Sequence, residues 1–199
     1  MSDQKTLSVY ADKARDYDAT FAGHDSPYVH DFIAAVPKEA HVLDLGCGTG
    51  QWSLAMAKAG LLVHARDASR EMLALVAEHA NLTKTQATFD DLSEDNTFDG
   101  VFASFSLLHA PRDDMPRHLS SIARALKPCG HLYLGMKTGS GEGRDDLGRY
   151  YAYYTRGELD ERLAEAGFEI LSVVEAEERG LAGTLDPTIH ILARLSEDG

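Results

Sequence analysis

The residues best able to do chemistry sit at two strand ends. Asp44-Leu-Gly46-Cys-Gly48-Thr-Gly50 closes the apolar run that starts at His41. Glycines at a strand-to-helix junction let the backbone turn tightly and let a ligand approach main-chain atoms without a Cβ in the way. A plain turn does not need three in alternation. Asp44 places a carboxylate beside this loop, where it would repel a pyrophosphate and attract a ligand carrying positive charge. A dinucleotide fingerprint, GxGxxG, requires glycine at position 51. The residue there is Gln51 and the third glycine falls at 50, so a nicotinamide-dependent dehydrogenase is disfavoured. Asp67 ends the next apolar run, 19 residues after Gly48. A carboxylate there can accept two hydrogen bonds from a ribose diol, or it can simply favour the N-terminus of the following helix.

Three further groups could meet a substrate. His109, in Leu-Leu-His-Ala-Pro, follows the fourth strand, and loops at that edge of a parallel sheet are where ligands sit. It is therefore a candidate general base, or a histidine that only bonds to the backbone. Arg149-Tyr-Tyr-Ala-Tyr-Tyr154 puts Tyr150, Tyr151, Tyr153 and Tyr154 within five residues, which could wall an acceptor pocket or divide between core and cover. Ahead of it, Gly139, Gly141 and Gly143 form another GxGxG pattern without GK[ST] or an acid-terminated strand. Residues 138–154 read as a mobile lid, with an inert loop as the alternative, rather than a second nucleotide site. The other histidines show no metal-ligand spacing, so no metal is expected.

The elements that position these groups alternate along nearly the whole chain. His41–Leu45, Leu61–Ala65, a weaker run over Thr85–Phe89, Phe98–Phe105 and His131–Met136 read as strands, followed by runs near Phe168–Val174 and Thr188–Ala193. Between them, Gln51–Ala59, a helix capped by Ser69 with Met72, Leu73, Val76 and Ala80 on its face, and Met115–Leu126 have helical spacing. Thr155-Arg-Gly-Glu158 has the form of a capping box ahead of Leu159 and Leu163. This alternation predicts an α/β domain with a mostly parallel sheet, and no linker divides residues 1–199.

Composition narrows the partners. The formal charge is −13, with 32 Asp and Glu against 19 Lys and Arg, and no basic patch is visible, so nucleic-acid binding is not expected. Cys47 and Cys129 lie 82 residues apart with no CxxC pair, which suits a reducing compartment. No apolar run reaches the length of a membrane span and no secretory signal is visible, so a cytoplasmic protein without membrane partners is expected.

Taken together, VLDLGCGTG, RDASREML, FDDLSEDNTFDGVFASFSLLHA and ALKPCGHLYLGM resemble the successive motifs of class I S-adenosylmethionine-dependent methyltransferases, over roughly residues 7 to 195. The resemblance implies a Rossmann-like, doubly wound sheet of seven strands in the order 3-2-1-4-5-7-6, the last antiparallel. It also implies S-adenosylmethionine as cofactor. Asp44 and the loop of Gly46, Cys47, Gly48 and Gly50 would hold its methionine part, Asp67 its ribose, and Ala68 and Met72 would pack beside the adenosine. An acid after the third strand would meet adenine: Asp90, followed by Asp91 and Leu92, or Asp91 itself. Ser104, Phe105 and Ser106 would lie beneath the cofactor. Cys129 departs from the family's KPGG turn, on the far side of the core. Tyr10-Ala-Asp-Lys-Ala-Arg-Asp-Tyr17 is similar to the small-molecule branch of the family, in which a helix, here over residues 5–22, covers the cofactor. Tyr10 and Tyr17 share one face of it, toward cofactor and substrate or toward core. The expected activity is methyl transfer to a small-molecule acceptor, and the competing class is a non-catalytic protein of the same fold that binds this cofactor or another adenosine ligand.

Overall fold

The computed structural model describes residues 3–21 and 23–197. Seven strands form one sheet: β1 (His41–Leu45), β2 (Leu62–Asp67), β3 (Leu82–Gln86), β4 (Phe98–Ser104), β5 (Leu126–Lys137), β8 (Phe168–Arg179) and β9 (Leu185–Leu195). Their spatial order is β3-β2-β1-β4-β5-β9-β8. The first five are parallel, and β9 runs antiparallel to both β5 and β8. Counting only these seven strands, the order is 3-2-1-4-5-7-6 with the last one reversed, as the motifs imply. β6 (Glu142–Arg144) and β7 (Tyr150–Ala152) form a separate two-stranded hairpin. Among the described residues, no helix is long and apolar enough to cross a membrane.

Helices cover both faces. On one side α3 (Pro27–Ala35), α4 (Gln51–Lys58) and α5 (Arg70–Leu73) pack Phe32, Met56 and Leu73 against Val42, Val63 and Phe102. On the other, α6 (Met115–Ala125) and α7 (Arg156–Glu165) bring Leu119, Ile122, Leu159 and Leu163 onto Leu43, Val101, Leu134 and Ile191. Central strands buried on both faces read as nearly continuous apolar runs, which is why β1 and β4 were plain in the sequence. The capping box at α7 forms as expected: the Glu158 carboxylate accepts from the Thr155 amide at 2.7 Å, and Thr155 Oγ1 accepts from the Glu158 amide.

Three elements differ from their sequence reading. The third strand ends at Gln86, not Phe89, because Asp91 accepts hydrogen bonds from the amide and hydroxyl of Thr88 and winds Phe89–Asp91 into a 3-10 turn. Ser69 caps its helix, accepting from the Met72 amide, but that helix stops at Leu73. The N-terminal helix is two pieces, α1 (Gln4–Asp12) and α2 (Ala14–Phe21), with a break at Lys13; residue 22 of the expected span lies outside the described residues.

Candidate functional site

The site lies at the C-terminal ends of β1, β2 and β4, at the β1/β4 border where strand order reverses, the place a doubly wound sheet opens a crevice. The glycine loop floors it. Gly46 and Gly48 have φ of +78° and +56°, a region that L side chains rarely adopt. A Cβ on Gly46 would come within 2.3 Å of Ser106 Cβ. The amides of Gly46 and Cys47 donate to the Arg66 carbonyl and that of Gly48 donates to Asp67 Oδ2 at 2.9 Å, so β2 sets the loop's shape. Gly50 has a packing role instead of lining the cleft: it starts α4 in the left-handed region, and a Cβ there would lie 2.8 Å from Val76 Cγ1.

Asp67, at the end of β2, also accepts from the Ser69 amide at 2.8 Å, so its carboxylate is fixed across the mouth of the cleft. Ala68 and Met72 line the cleft beside it. The far end is closed by Ala87, Thr88 and Phe89. This corrects the expected adenine end. The 3-10 turn directs Asp90 into an ion pair with Arg117 at 2.6 Å, spends Asp91 on capping Thr88, and buries Leu92 in the larger core. None of the three borders the cleft. Thr88 is the polar side chain that does.

Above the cleft stand Thr6, Leu7, Tyr10 and Tyr17 of the N-terminal helices. Tyr10 and Tyr17 meet edge to face with centroids 6.0 Å apart. The Tyr10 hydroxyl lies 2.8 Å from His109 Nε2, and His109 Nδ1 lies 2.6 Å from the Tyr150 carbonyl oxygen. A carbonyl only accepts, so Nδ1 carries the proton and Nε2 accepts from the phenol. Desolvation pushes the His109 pKa down to about 4, and the nearby Arg149 guanidinium acts in the same direction. The imidazole is therefore neutral at neutral pH. His109 borders the cleft and bonds the Tyr150 carbonyl of the backbone.

Tyr10, Tyr17, Gly46, Ser104 and Phe105 border both the cleft and a second space, a chamber of about 410 Å³. That volume suits a small organic molecule. Phe105, at φ +50°, is a bulky residue in a strained conformation at this junction. Asp44 lines the chamber 1% exposed, and Ser53 Oγ donates to it at 2.5 Å. Burial raises its pKa to about 7, and the neighbouring Asp67 adds to the rise. Burial likewise pushes the Cys47 thiol well up, which keeps it protonated beside the loop.

The tyrosine segment divides. Tyr151 lines the chamber. Tyr153 stacks on Tyr151 outside it, with centroids 5.9 Å apart, Tyr150 lies near Arg144, and Tyr154 is buried in the larger core beneath Arg112. Tyr150 faces away from the chamber because alternate residues of β7 point opposite ways, Tyr153 lies beyond the end of that strand behind the Tyr151 ring, and Tyr154 enters the core where the chain turns into α7. Residues 138–154 also hold more regular structure than a lid loop. Arg144 bonds both Asp3 oxygens at 2.9 and 2.8 Å, Thr6 Oγ1 accepts from the Tyr150 amide at 2.8 Å, and Arg112 bonds the Tyr153 carbonyl.

The sequence reading missed Lys137, Arg149, Tyr28, Trp52, Tyr133 and His190, all of which line the chamber. Lys137 ends β5, so the strand-end rule could have found it. Arg149 directly precedes the tyrosines. Trp52 had only the spacing of a packing face. Among the described residues, no group of His, Cys, Asp and Glu could hold a metal ion.

Residues 42–130 match the family model of a methyltransferase domain. An uncharacterized methyltransferase of Staphylococcus carnosus is 29% identical, over 73% of this chain and 74% of its own length. A cypemycin N-terminal methyltransferase from Streptomyces is 41% identical, over 47% of this chain and 40% of its own length. Among solved structures, Burkholderia thailandensis 1,6-didemethyltoxoflavin-N1-methyltransferase, with bound 1,6-didemethyltoxoflavin and S-adenosylhomocysteine, superposes with a TM-score of 0.81 at 22% identity. That match covers 96% of this chain and 88% of the other.

Proposed function

We propose that the chain is a class I S-adenosylmethionine-dependent methyltransferase that transfers a methyl group to a small-molecule acceptor, a reading supported by the methyltransferase-domain match over residues 42–130 and by its relatives. One observation carries the reading. A narrow cleft with a fixed carboxylate, Asp67, joins an aromatic chamber at a shared border of Tyr10, Tyr17, Gly46, Ser104 and Phe105.

The residues present fit the cofactor. Gly48 leaves open the space below Tyr17, whose Cε1 would stand 3.6 Å from a Cβ there, and Ala68, Met72 and Phe89 supply apolar walls for a nucleoside. Asp67 keeps acceptor capacity for a ribose diol beyond the two amides it already binds. Asp44 offers a carboxylate to the ammonium of the methionine part. When bound, the cofactor supplies a methyl group already activated on a sulfonium sulfur.

The chain's own work is then alignment and exclusion of water, which carry most of the rate in such a displacement. Tyr10 and Tyr17 roof the junction. His109 acts as a positioning residue: its neutral Nε2 holds the Tyr10 hydroxyl, and Arg149 Nη1 donates to the same oxygen at 2.9 Å. A histidine with a pKa near 4 is poorly poised to keep a proton taken from an acceptor at neutral pH. The acceptor itself occupies the chamber, with Tyr17 and Tyr151 among its walls. The lid role of residues 138–154 is taken by the β6–β7 hairpin, which closes down on α1 through Arg144 and Asp3.

Calorimetry and thermal melts test this. S-adenosylmethionine and S-adenosylhomocysteine should bind and raise the melting temperature, because a ligand that binds only the folded state stabilises it by mass action. NAD should do neither. A shift with NAD and none with S-adenosylhomocysteine would remove the proposal, and binding without turnover across a panel of methyl acceptors would favour the non-catalytic reading.

A further inference from the structure

Resting on the chamber as the acceptor site, we propose that the acceptor is a planar ring bearing an anionic oxygen group, and that Lys137 and Arg149 receive that oxygen beside Tyr151. Both cations line the chamber although their side chains are only 10% and 3% exposed. They converge on one ring: Lys137 Nζ lies 4.4 Å and Arg149 Cζ 5.3 Å from the Tyr151 centroid. Their carboxylate partners stand behind them. Lys137 pairs with Asp186 at 2.7 Å and Arg149 with Asp145 at 2.6 Å, and neither aspartate borders the chamber. The face turned inward is therefore the donor face.

The donors are not used up. An ammonium has three N–H groups, and among the described residues Lys137 Nζ donates only to Asp186. Arg149 spends Nε and Nη2 on Asp145 and one Nη1 bond on Tyr10, leaving two of its five N–H groups. Buried cations with spare donors are costly unless an acceptor meets them. In a chain of net charge −13, two such cations on one ring form a local exception that favours an anion. The acids that border the chamber have partners of their own: Asp44 accepts from Ser53 Oγ and is the carboxylate offered to the cofactor ammonium, Asp25 accepts from the Ser26 amide and lies 2.7 Å from His30 Nε2, and Glu178 lies 3.4 Å from His190 Nε2. The flat shape follows from the walls. Tyr28 stacks on His190 with centroids 3.6 Å apart, and Phe105, Trp52 and Tyr133 complete an aromatic surround.

Trp52 is the chain's one tryptophan and lines the chamber, so its fluorescence reads occupancy. With the protein saturated in S-adenosylhomocysteine, benzoate, benzamide and cyclohexanecarboxylate are titrated in turn, with calorimetry as a second readout. Benzoate should bind about tenfold or more tighter than benzamide, as expected for charge-assisted hydrogen bonds, and tighter than the non-planar cyclohexanecarboxylate. Lys137→Met should remove most of the preference for benzoate over benzamide. Lys137→Gln, which can still bond Asp186, serves as the second variant if the first folds poorly, and should give the same loss. Equal binding of benzoate and benzamide, no saturable binding of benzoate, no advantage over cyclohexanecarboxylate, or an unchanged preference in both variants would overturn the proposal. Failure of S-adenosylhomocysteine to bind at the outset would instead count against the methyltransferase reading.

Discussion

The Tyr10 hydroxyl and His109 Nε2 are hydrogen-bonded at 2.8 Å across 99 positions of sequence, and this bond ties the N-terminal helix to the edge of the sheet. Arg149 shares the same phenol oxygen, so one hydroxyl joins the cover, the crevice and the β6–β7 hairpin. Tyr10→Phe should therefore leave an imidazole nitrogen and a guanidinium N–H without their partner, at a cost of about 1–3 kcal/mol. Hydrogen exchange should quicken across Gln4–Asp12 more than in β1 or β4. Unchanged exchange in α1 with unchanged stability would show that the bond does not hold the cover.

On the proposed reading, Asp44 should make cofactor binding depend on pH. With a pKa near 7 it is mostly protonated at pH 6, whereas a ligand carrying an ammonium favours the carboxylate. Binding of S-adenosylhomocysteine should release up to about one proton at pH 6 and almost none at pH 8.5, read by calorimetry in buffers of different ionisation enthalpy. Without ligand, the folded state keeps a proton that the unfolded chain loses between its ordinary value of 3.8 and about 7, so this group favours folding at the low end of that window and loses that contribution as pH rises through it. Asp44→Asn should abolish the proton release. The same release in the variant would assign the proton elsewhere.

Asp67→Ala should weaken cofactor binding by about 1.5–3 kcal/mol, the range for hydrogen bonds to a charged group. The fold should survive, because Asp67 sits at the end of β2, outside both apolar cores. The Gly48 and Ser69 amides lose a partner in this variant, so a small fall in melting temperature is expected. Affinity equal to that of the parent would move the ribose away from this carboxylate.

The two loop glycines should not respond alike. Gly46→Ala must push Ser106, which donates to the Leu45 carbonyl at 2.6 Å, and so should lower stability clearly. Gly48→Ala meets no atom closer than 3.6 Å and should cost only the backbone strain of its positive φ, about 1 kcal/mol. Denaturant midpoints of the two variants compare them directly, and a larger loss for Gly48→Ala would contradict this account of the loop.

What was legible in the sequence was local. β1 with its glycines, Asp67 at a strand end, and the Thr155–Glu158 cap each reside within a few residues and obey short-range rules. The sheet order followed from motif succession, not from any contact. What escaped was set at a distance. Thr88 faces the cleft only because Asp91 caps it and turns the chain, so a run of two aspartates looked like the more polar end. Residues 138–146 lacked an apolar period, and what holds them is polar and remote: Asp3 to Arg144 spans 141 positions. Lys137 and Arg149 look like ordinary surface charges until Asp186 and Asp145 are seen to hold them from behind.

The most direct test of the central claim is a crystal structure of the protein with S-adenosylhomocysteine. The adenosine should lie between Met72 and Phe89 with its ribose hydroxyls on Asp67, and the sulfur should face the junction of Tyr10 and Phe105, open to the chamber. A nucleoside bound away from Asp67, or a sulfur sealed off from the chamber lined by Lys137 and Tyr151, would contradict it.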